Sequence, residues 1–405
     1  MMGFSMERAV DDPQRTPFRR DELTWLAFGI LGFYNYLLSG LGPLMPSLRE
    51  ELGLSYTIAS LHFSAFAIGM ILAGLVGDRV VRRYGRTKVF WAGAAGLGAG
   101  AVALTIFHSP ILTVSSVLVM GGVGSLILIL IPAILADRHG ENRAIAIVEA
   151  NILAAATGAM AGLLIGLGEQ TPAGWRGALL LSLAIPFFLV VRFGRVPLPV
   201  SPAHRIGALP GAATALPPAY WSFWLAVVLA VSIEFSLIFW GADFLVAAGL
   251  STSVAATTVS LFLWGMVAGR IAGRQAAQRM PAERLLSLAL ALSAGGFFVY
   301  WLSPAALVAV LGLFVAGLGV ANLYPLTVAL ALGAAPGQSN EAGARLSFAS
   351  GTAILAAPLL LGALADATGI RLAYGVVPIF LLGAFMASHL GRRLSTKPAV
   401  DLVPR

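Results

Sequence analysis

Cysteine is absent from the 405 residues, which removes disulfides, thiol nucleophiles and thiolate metal sites together. Charge is also scarce. Asp, Glu, Lys and Arg make up 11% of the chain, against about 25% in soluble domains. With 58% of its residues hydrophobic, the chain reads as a protein that crosses a bilayer many times. It also lacks a Ser/His/Asp set on a soluble domain, paired metal ligands and a phosphate-binding loop. Glycine strings such as Gly93 to Gly100 follow no strand, so they read as helix-packing ladders. The expectation is therefore no enzyme, no cofactor and no metal. Residues 1–22 are polar, with no cleavable signal, and Leu402 to Arg405 resemble the stub of a removed tag and are set aside.

What is present is a set of apolar runs, each about 20 residues long, bounded by charge, Pro or Gly. Twelve are predicted, near 23–46, 57–77, 88–107, 111–136, 144–167, 176–194, 219–247, 252–273, 283–302, 305–333, 342–364 and 372–391. The predicted fold is an all-α membrane protein of twelve transmembrane helices in two pseudo-symmetric six-helix halves. Residues 1–22 form one tail, 23–194 the first half, 195–218 a linker with six prolines, 219–391 the second half and 392–405 the other tail.

The net charge of +8 does not point to nucleic acid, because the cations cluster in short stretches between apolar runs. The junction Gly69 to Lys88 shows the pattern: Gly69, Ala73 and Gly77 share one helix face, and then Asp78, Arg79, Arg82, Arg83, Arg86 and Lys88 follow. Of the 26 Lys and Arg residues, only Arg49, Arg176 and Arg371 fall in odd-numbered loops. Both termini and the linker are therefore expected in the cytoplasm, with the chain in the cell membrane.

The halves repeat. At an offset of 196, Gly53-Leu54-Ser55 falls on Gly249-Leu250-Ser251, Ser64 on Ser260, Phe66 on Phe262 and Gly69-Met70 on Gly265-Met266. Gly69, Ala73 and Gly77 map onto Gly265, Gly269 and Gly273, and at an offset of 195 Gly174-Trp175-Arg176 falls on Gly369-Ile370-Arg371. Two units of six spans that both start inside are parallel repeats about an axis along the membrane normal.

This architecture, with a basic loop between spans two and three, resembles the major facilitator superfamily over the whole chain. The loop motif of that family, G-x-x-x-D-R-x-G-R-[RK], is matched at its end by Arg83, Tyr84, Gly85 and Arg86. Arg82 occupies its acidic position, with Asp78 one turn earlier. Leu118 stands where proton-linked members often carry a span-four arginine, and Gly158, Gly162 and Gly166 keep a span-five glycine ladder without the Gly-Pro step of drug exchangers. The second half, with Glu234, Trp240, the run Phe262 to Arg270 and the run Asn322 to Pro325, resembles the fucose-permease branch.

The resemblance implies that spans one, four, seven and ten line a central path, that span two packs on span eleven, and that span five packs on span eight. The expected solute-binding residues are Tyr34, Asn35 and Tyr36 in span one, Glu234 and Trp240 in span seven, and Asn322 and Tyr324 before Pro325 in span ten. The first three would serve equally as an interhelical clamp. Glu234 lies among apolar neighbours at membrane depth, which marks a functional carboxyl, either for proton coupling or as counter-charge to a cationic solute. His62 reads as a packing histidine or a relay, and Asp243 as a helix-end charge. The repeat sends Asp78 to Arg274 and Glu149 to Arg345, so Asp78–Arg345 and Glu149–Arg274 are expected as paired gates that close the cytoplasmic side. The function implied is a monomeric secondary transporter of a small organic solute, coupled to protons. A uniporter, a transporter-shaped sensor or a lipid-handling protein are the alternatives.

Overall fold

The computed structural model describes residues 18–199, 216–303, 305–336 and 338–395, and these are almost wholly helical. The first half comprises Glu22–Leu52 (span one), Tyr56–Tyr84 (two), Arg86–Ile106 (three), Pro110–Gly124 continued by Leu126–His139 (four), Arg143–Gly168 (five), and Gly174–Leu181 continued by Ala184–Phe193 (six). The second comprises Pro218–Ala247 (seven), Thr252–Ala277 (eight), Ala282–Leu302 (nine), Ala306–Gly333 (ten), Ser339–Thr368 (eleven), and Ile370–Ala373 continued by Val376–Ser395 (twelve). Eleven of these are long and apolar enough to cross a membrane. Span one is the exception. Its 31 residues reach about 46 Å, but Tyr34, Asn35 and Tyr36 interrupt its apolar run. It packs on spans five, six, seven and eight as a full member of the bundle. Most of the expected linker, and the tails 1–17 and 396–405, lie outside the described residues.

The repeated Gly-Leu-Ser is a helix stop followed by a helix start. Gly53 and Gly249 take positive φ, of 61° and 98°, after spans one and seven. Two residues on, Ser55 accepts a hydrogen bond from the Ile58 N–H and Ser251 accepts one from the Val254 N–H. Both expected turns are therefore set by local chemistry, once in each half.

The basic loop between spans two and three is shorter than expected. Span two stays helical through Arg82 and Arg83, and Gly85, at φ 82°, provides the whole turn into span three. Only a residue without Cβ takes that conformation readily, so the Arg83-to-Arg86 motif is a helix end and a one-residue turn.

Small residues carry the packing inside each half. A Cβ on Gly121 would lie 2.2 Å from the Phe66 carbonyl oxygen, and one on Gly317 would lie 2.3 Å from that of Phe262. Both members of the first contact map onto the second at the 196 offset, so spans two and four touch as spans eight and ten do. Gly121→Ala and Gly317→Ala should each lower thermal stability by about 1–3 kcal/mol, because backbone cannot move aside for a methyl. Gly74→Ala, with nothing within 4 Å, should leave it unchanged. Intrinsic tryptophan fluorescence during heating reads the difference; equal melting of all three variants would contradict the seam.

Between halves, span two packs on span eleven and span five on span eight, as the resemblance implied. Span one meets span seven at Gly42, where a Cβ would lie 2.0 Å from the Ile238 carbonyl oxygen. Gly42 and Ile238 are 196 residues apart. A residue touching its own repeat mate sits on the pseudo-two-fold axis, so this contact marks where that axis runs.

Candidate functional site

Beside that axis, a cavity of about 140 Å³ opens between the halves. Span one contributes Asn35, Leu38 and Ser39; span five contributes Asn151, Ala154 and Ala155. Across the boundary, span seven brings Glu234, Phe235 and Ile238, and span eight brings Leu263, Met266 and Arg270. One acid, one base, two amides and a hydroxyl thus converge among apolar side chains, the composition of a small-molecule site.

The polar groups are held by backbone already committed elsewhere. Asn35 Nδ2 donates to the Ala154 carbonyl at 2.6 Å, tying span one to span five. That approach depends on Gly158, where a Cβ would lie 2.5 Å from Asn35 Nδ2. Asn151 Nδ2 donates to Ile147 O at 2.8 Å, which leaves the amide oxygen as an acceptor. Glu234 and Arg270 feel each other electrostatically, but among the described residues neither closes an ion pair or a hydrogen bond.

Several expected site residues sit elsewhere. Tyr34 is buried, with its hydroxyl 2.9 Å from Ser125 Oγ at the break in span four. Tyr36 is buried and donates to Ala178 O in span six at 2.9 Å. These two are interhelical clamps, because each phenol is consumed by a partner within its own half. Trp240 is fully buried and donates from Nε1 to Pro358 O at 3.0 Å, so it packs against span eleven instead of facing the cavity. Asn322 donates to Gly269 O at 2.9 Å and fills the groove that Gly273 leaves open, joining span ten to span eight. Tyr324 is 38% exposed and outside the cavity lining. His62 is buried, its ring nitrogens meeting Ala59 O at 3.1 Å and Thr113 Oγ1 at 2.9 Å, as a packing histidine does.

Among the described residues, several polar contacts that join the halves lie on the side away from the termini. Asp243 is not an ordinary helix-end charge. Its carboxylate is buried, accepts from Arg49 Nη1 across the halves, and Arg49 lies over the Tyr56 ring at 3.5 Å. Asp366 of span eleven accepts from the Tyr56 and Thr57 N–H groups at 2.7 and 2.8 Å, capping span two from the other half. Gln170 Nε2 donates to Ser253 Oγ at 3.0 Å, and Phe63 stacks on Phe239 at 4.1 Å. This side is sealed. Toward the termini, Asn151 and Arg270 are exposed at the mouth of the cavity. Here the expected gate residues find other partners: Asp78 accepts from Arg82 within its own helix, and Glu149 accepts from Arg20 Nε and Nη2, both at 2.7 Å. The acids proposed to close this side are thus held within the first half while the cavity is open there.

Sequence reasoning passed over Arg270, Asn151 and Arg49. The signal for Arg270 was available, since it falls inside the span predicted at 252–273 and a charge there is costly by the rule that singled out Glu234. The pairing of Arg49 with Asp243 was not, because it joins residues 194 apart on different halves, and which residues of the two halves face each other is fixed only by packing.

Similar proteins share this frame. The cyanate transport protein CynX of Escherichia coli (strain K12) is 26% identical over 307 residues, which is 73% of this chain and 77% of that protein. The structure of the E. coli xylose transporter XylE in an inward open conformation superposes with a TM-score of 0.74 at 13% identity, covering 94% of this chain and 97% of that one. A D-xylose-proton symporter structure superposes at 0.73 with 14% identity, covering 92% and 97%. The sequence profile of the Major Facilitator Superfamily matches residues 24–312, so this chain belongs to that superfamily and is a membrane transporter, not an enzyme.

Proposed function

We propose that this chain is a secondary active transporter that carries a small organic solute by alternating access, with Glu234 coupling the movement to protons. The observation that carries the reading is a polar cavity on the pseudo-two-fold axis, open toward the termini and sealed opposite by contacts between halves. Such a site at a repeat interface serves both sides of a membrane when one half rocks against the other. Glu234 is the cavity's acid, and an unpaired carboxyl at that depth is suited to taking up and releasing a proton. Support for a small solute comes from the cavity volume and from the cyanate transport protein among the relatives. Proton coupling is supported by the D-xylose-proton symporter that shares the fold.

The distribution of Lys and Arg supports a cell-membrane protein with both termini on the cytoplasmic side, an orientation in which the present state is inward-facing. In the outward state the cytoplasmic side closes, and Asp78–Arg345 and Glu149–Arg274 are the proposed gate pairs. Each contributes about 1 kcal/mol or less where water reaches it. The cavity is lined from one chain, which supports a monomer as the working unit. Purified protein in liposomes should accumulate solute against its gradient when a pH gradient is imposed; uptake that only equilibrates, with or without that gradient, would make it a facilitator.

A further inference from the structure

Arg270 has no hydrogen-bond or ion-pair partner among the described residues, although it lines a cavity within the bundle. A guanidinium keeps its charge at every pH that a protein meets. Its cavity neighbour Glu234 is a carboxyl, which loses its charge when it binds a proton. The pair therefore has two states: net neutral with the carboxylate ionised, and net positive with it protonated. It is never net negative. Among the described residues no other charged side chain lines the cavity: span one brings Asn35 and Ser39, span five brings Asn151, and spans ten, eleven and twelve bring no titratable group to it.

We propose that the solute is a small monoanion with a planar oxyanion group, such as a short monocarboxylate, held by Arg270 and moved together with the proton on Glu234. This rests on the transporter reading above and deepens it. In the proton-loaded state the only uncompensated charge in the cavity is that of Arg270, and a monoanion brings the sum to zero. A planar fork of N–H donors matches a carboxylate in two parallel hydrogen bonds. A volume near 140 Å³ favours a compact ligand, with Leu38, Ile238, Leu263 and Met266 around its apolar end. One proton and one monoanion together are neutral, so the cavity sums to zero both when loaded and when empty, and the cycle moves no net charge. A cation is disfavoured in both states, and a zwitterion matches only the state without the proton.

The test is thermal stabilisation of the purified full chain by formate, acetate, propionate and lactate, compared with acetamide, glycine and methylammonium. The monocarboxylates should stabilise at acidic pH, with apparent affinity falling up to about tenfold per pH unit once Glu234 deprotonates. Arg270→Gln should weaken that binding by roughly a hundredfold, and Arg270→Lys should retain part of it. Glu234→Gln, which fixes the neutral form, should bind acetate with an affinity independent of pH. Equal stabilisation by acetamide or glycine, stabilisation by none of the monocarboxylates, or full acetate binding by Arg270→Gln would each overturn the proposal. pH-driven uptake of a neutral solute into liposomes would overturn it too, while leaving the transporter reading intact. Acetate binding without any transport would sink that reading and leave the anion site standing.

Discussion

Asp243→Ala should open the sealed side. A cysteine placed at Ala256, which is buried in span eight where Gly162 packs against it, should react with an impermeant thiol reagent at least about tenfold faster in that background. Burial of the pair sets the size of the effect: the Asp243 side chain is 1% exposed and that of Arg49 20%. Removing one partner of a buried ion pair costs about 3–5 kcal/mol, because the other charge stays behind uncompensated. That charge, Arg49, is held only in the sealed state by its contact across the halves. Conformations of a carrier differ by a few kcal/mol, so a loss of this size moves most of the population toward the state in which Arg49 reaches water. Replacing both charges with apolar residues, as in Arg49→Met with Asp243→Leu, should restore slow labelling, since such pairs exchange for packed side chains at little net cost. Unchanged labelling in Asp243→Ala would show that the pair does not hold the seal.

Glu234→Gln is expected to separate binding from accumulation. Gln keeps the size and hydrogen-bonding capacity of the protonated acid but cannot release a proton. With a pH gradient of one unit, a one-to-one proton symporter can concentrate a neutral-sum cargo about tenfold, since one unit is worth about 1.4 kcal/mol. The variant should exchange solute between the two faces and bring it only to equal concentration. Loss of exchange as well would make Glu234 a direct ligand of a cationic solute. Wild-type accumulation by the variant would leave it a structural residue.

Much of the fold was legible because it is written in local chemistry. The Gly53 and Gly249 turns, their serine caps and the glycine faces of spans two and eight all follow from residues within a few positions of one another. Their recurrence at one offset then gave the symmetry. The site was legible only in part. Glu234 and Asn35 reach the cavity, whereas Tyr34, Tyr36, Trp240 and Asn322 do not. Polarity alone marks a residue as needing a partner; it does not say whether the partner is a solute or a carbonyl on the next helix. Tyr34 found Ser125 and Asn322 found Gly269, at distances that only the packed bundle fixes. Arg270 was hidden for another reason. Counting cations by loop absorbed it into the charged end of span eight, although it lies three residues before Gly273, inside the predicted span, and lines the cavity. The depth of a charge carries information that its loop assignment discards.

Alternating access in this chain requires the two halves to rock about the Gly42–Ile238 contact and expose one cavity to each side in turn. Gln170 and Ser253, joined by a 3.0 Å hydrogen bond across the sealed face, offer the most direct handle, because the chain has no cysteine of its own. Cysteines at both positions, bridged by a short reducible bifunctional thiol reagent, should hold that face shut. Counterflow in liposomes of the solute that stabilises the purified protein should then fall to background and return when the bridge is cleaved, with each single cysteine behaving as wild type. Counterflow at the wild-type rate in the fully bridged protein would contradict alternating access in this chain.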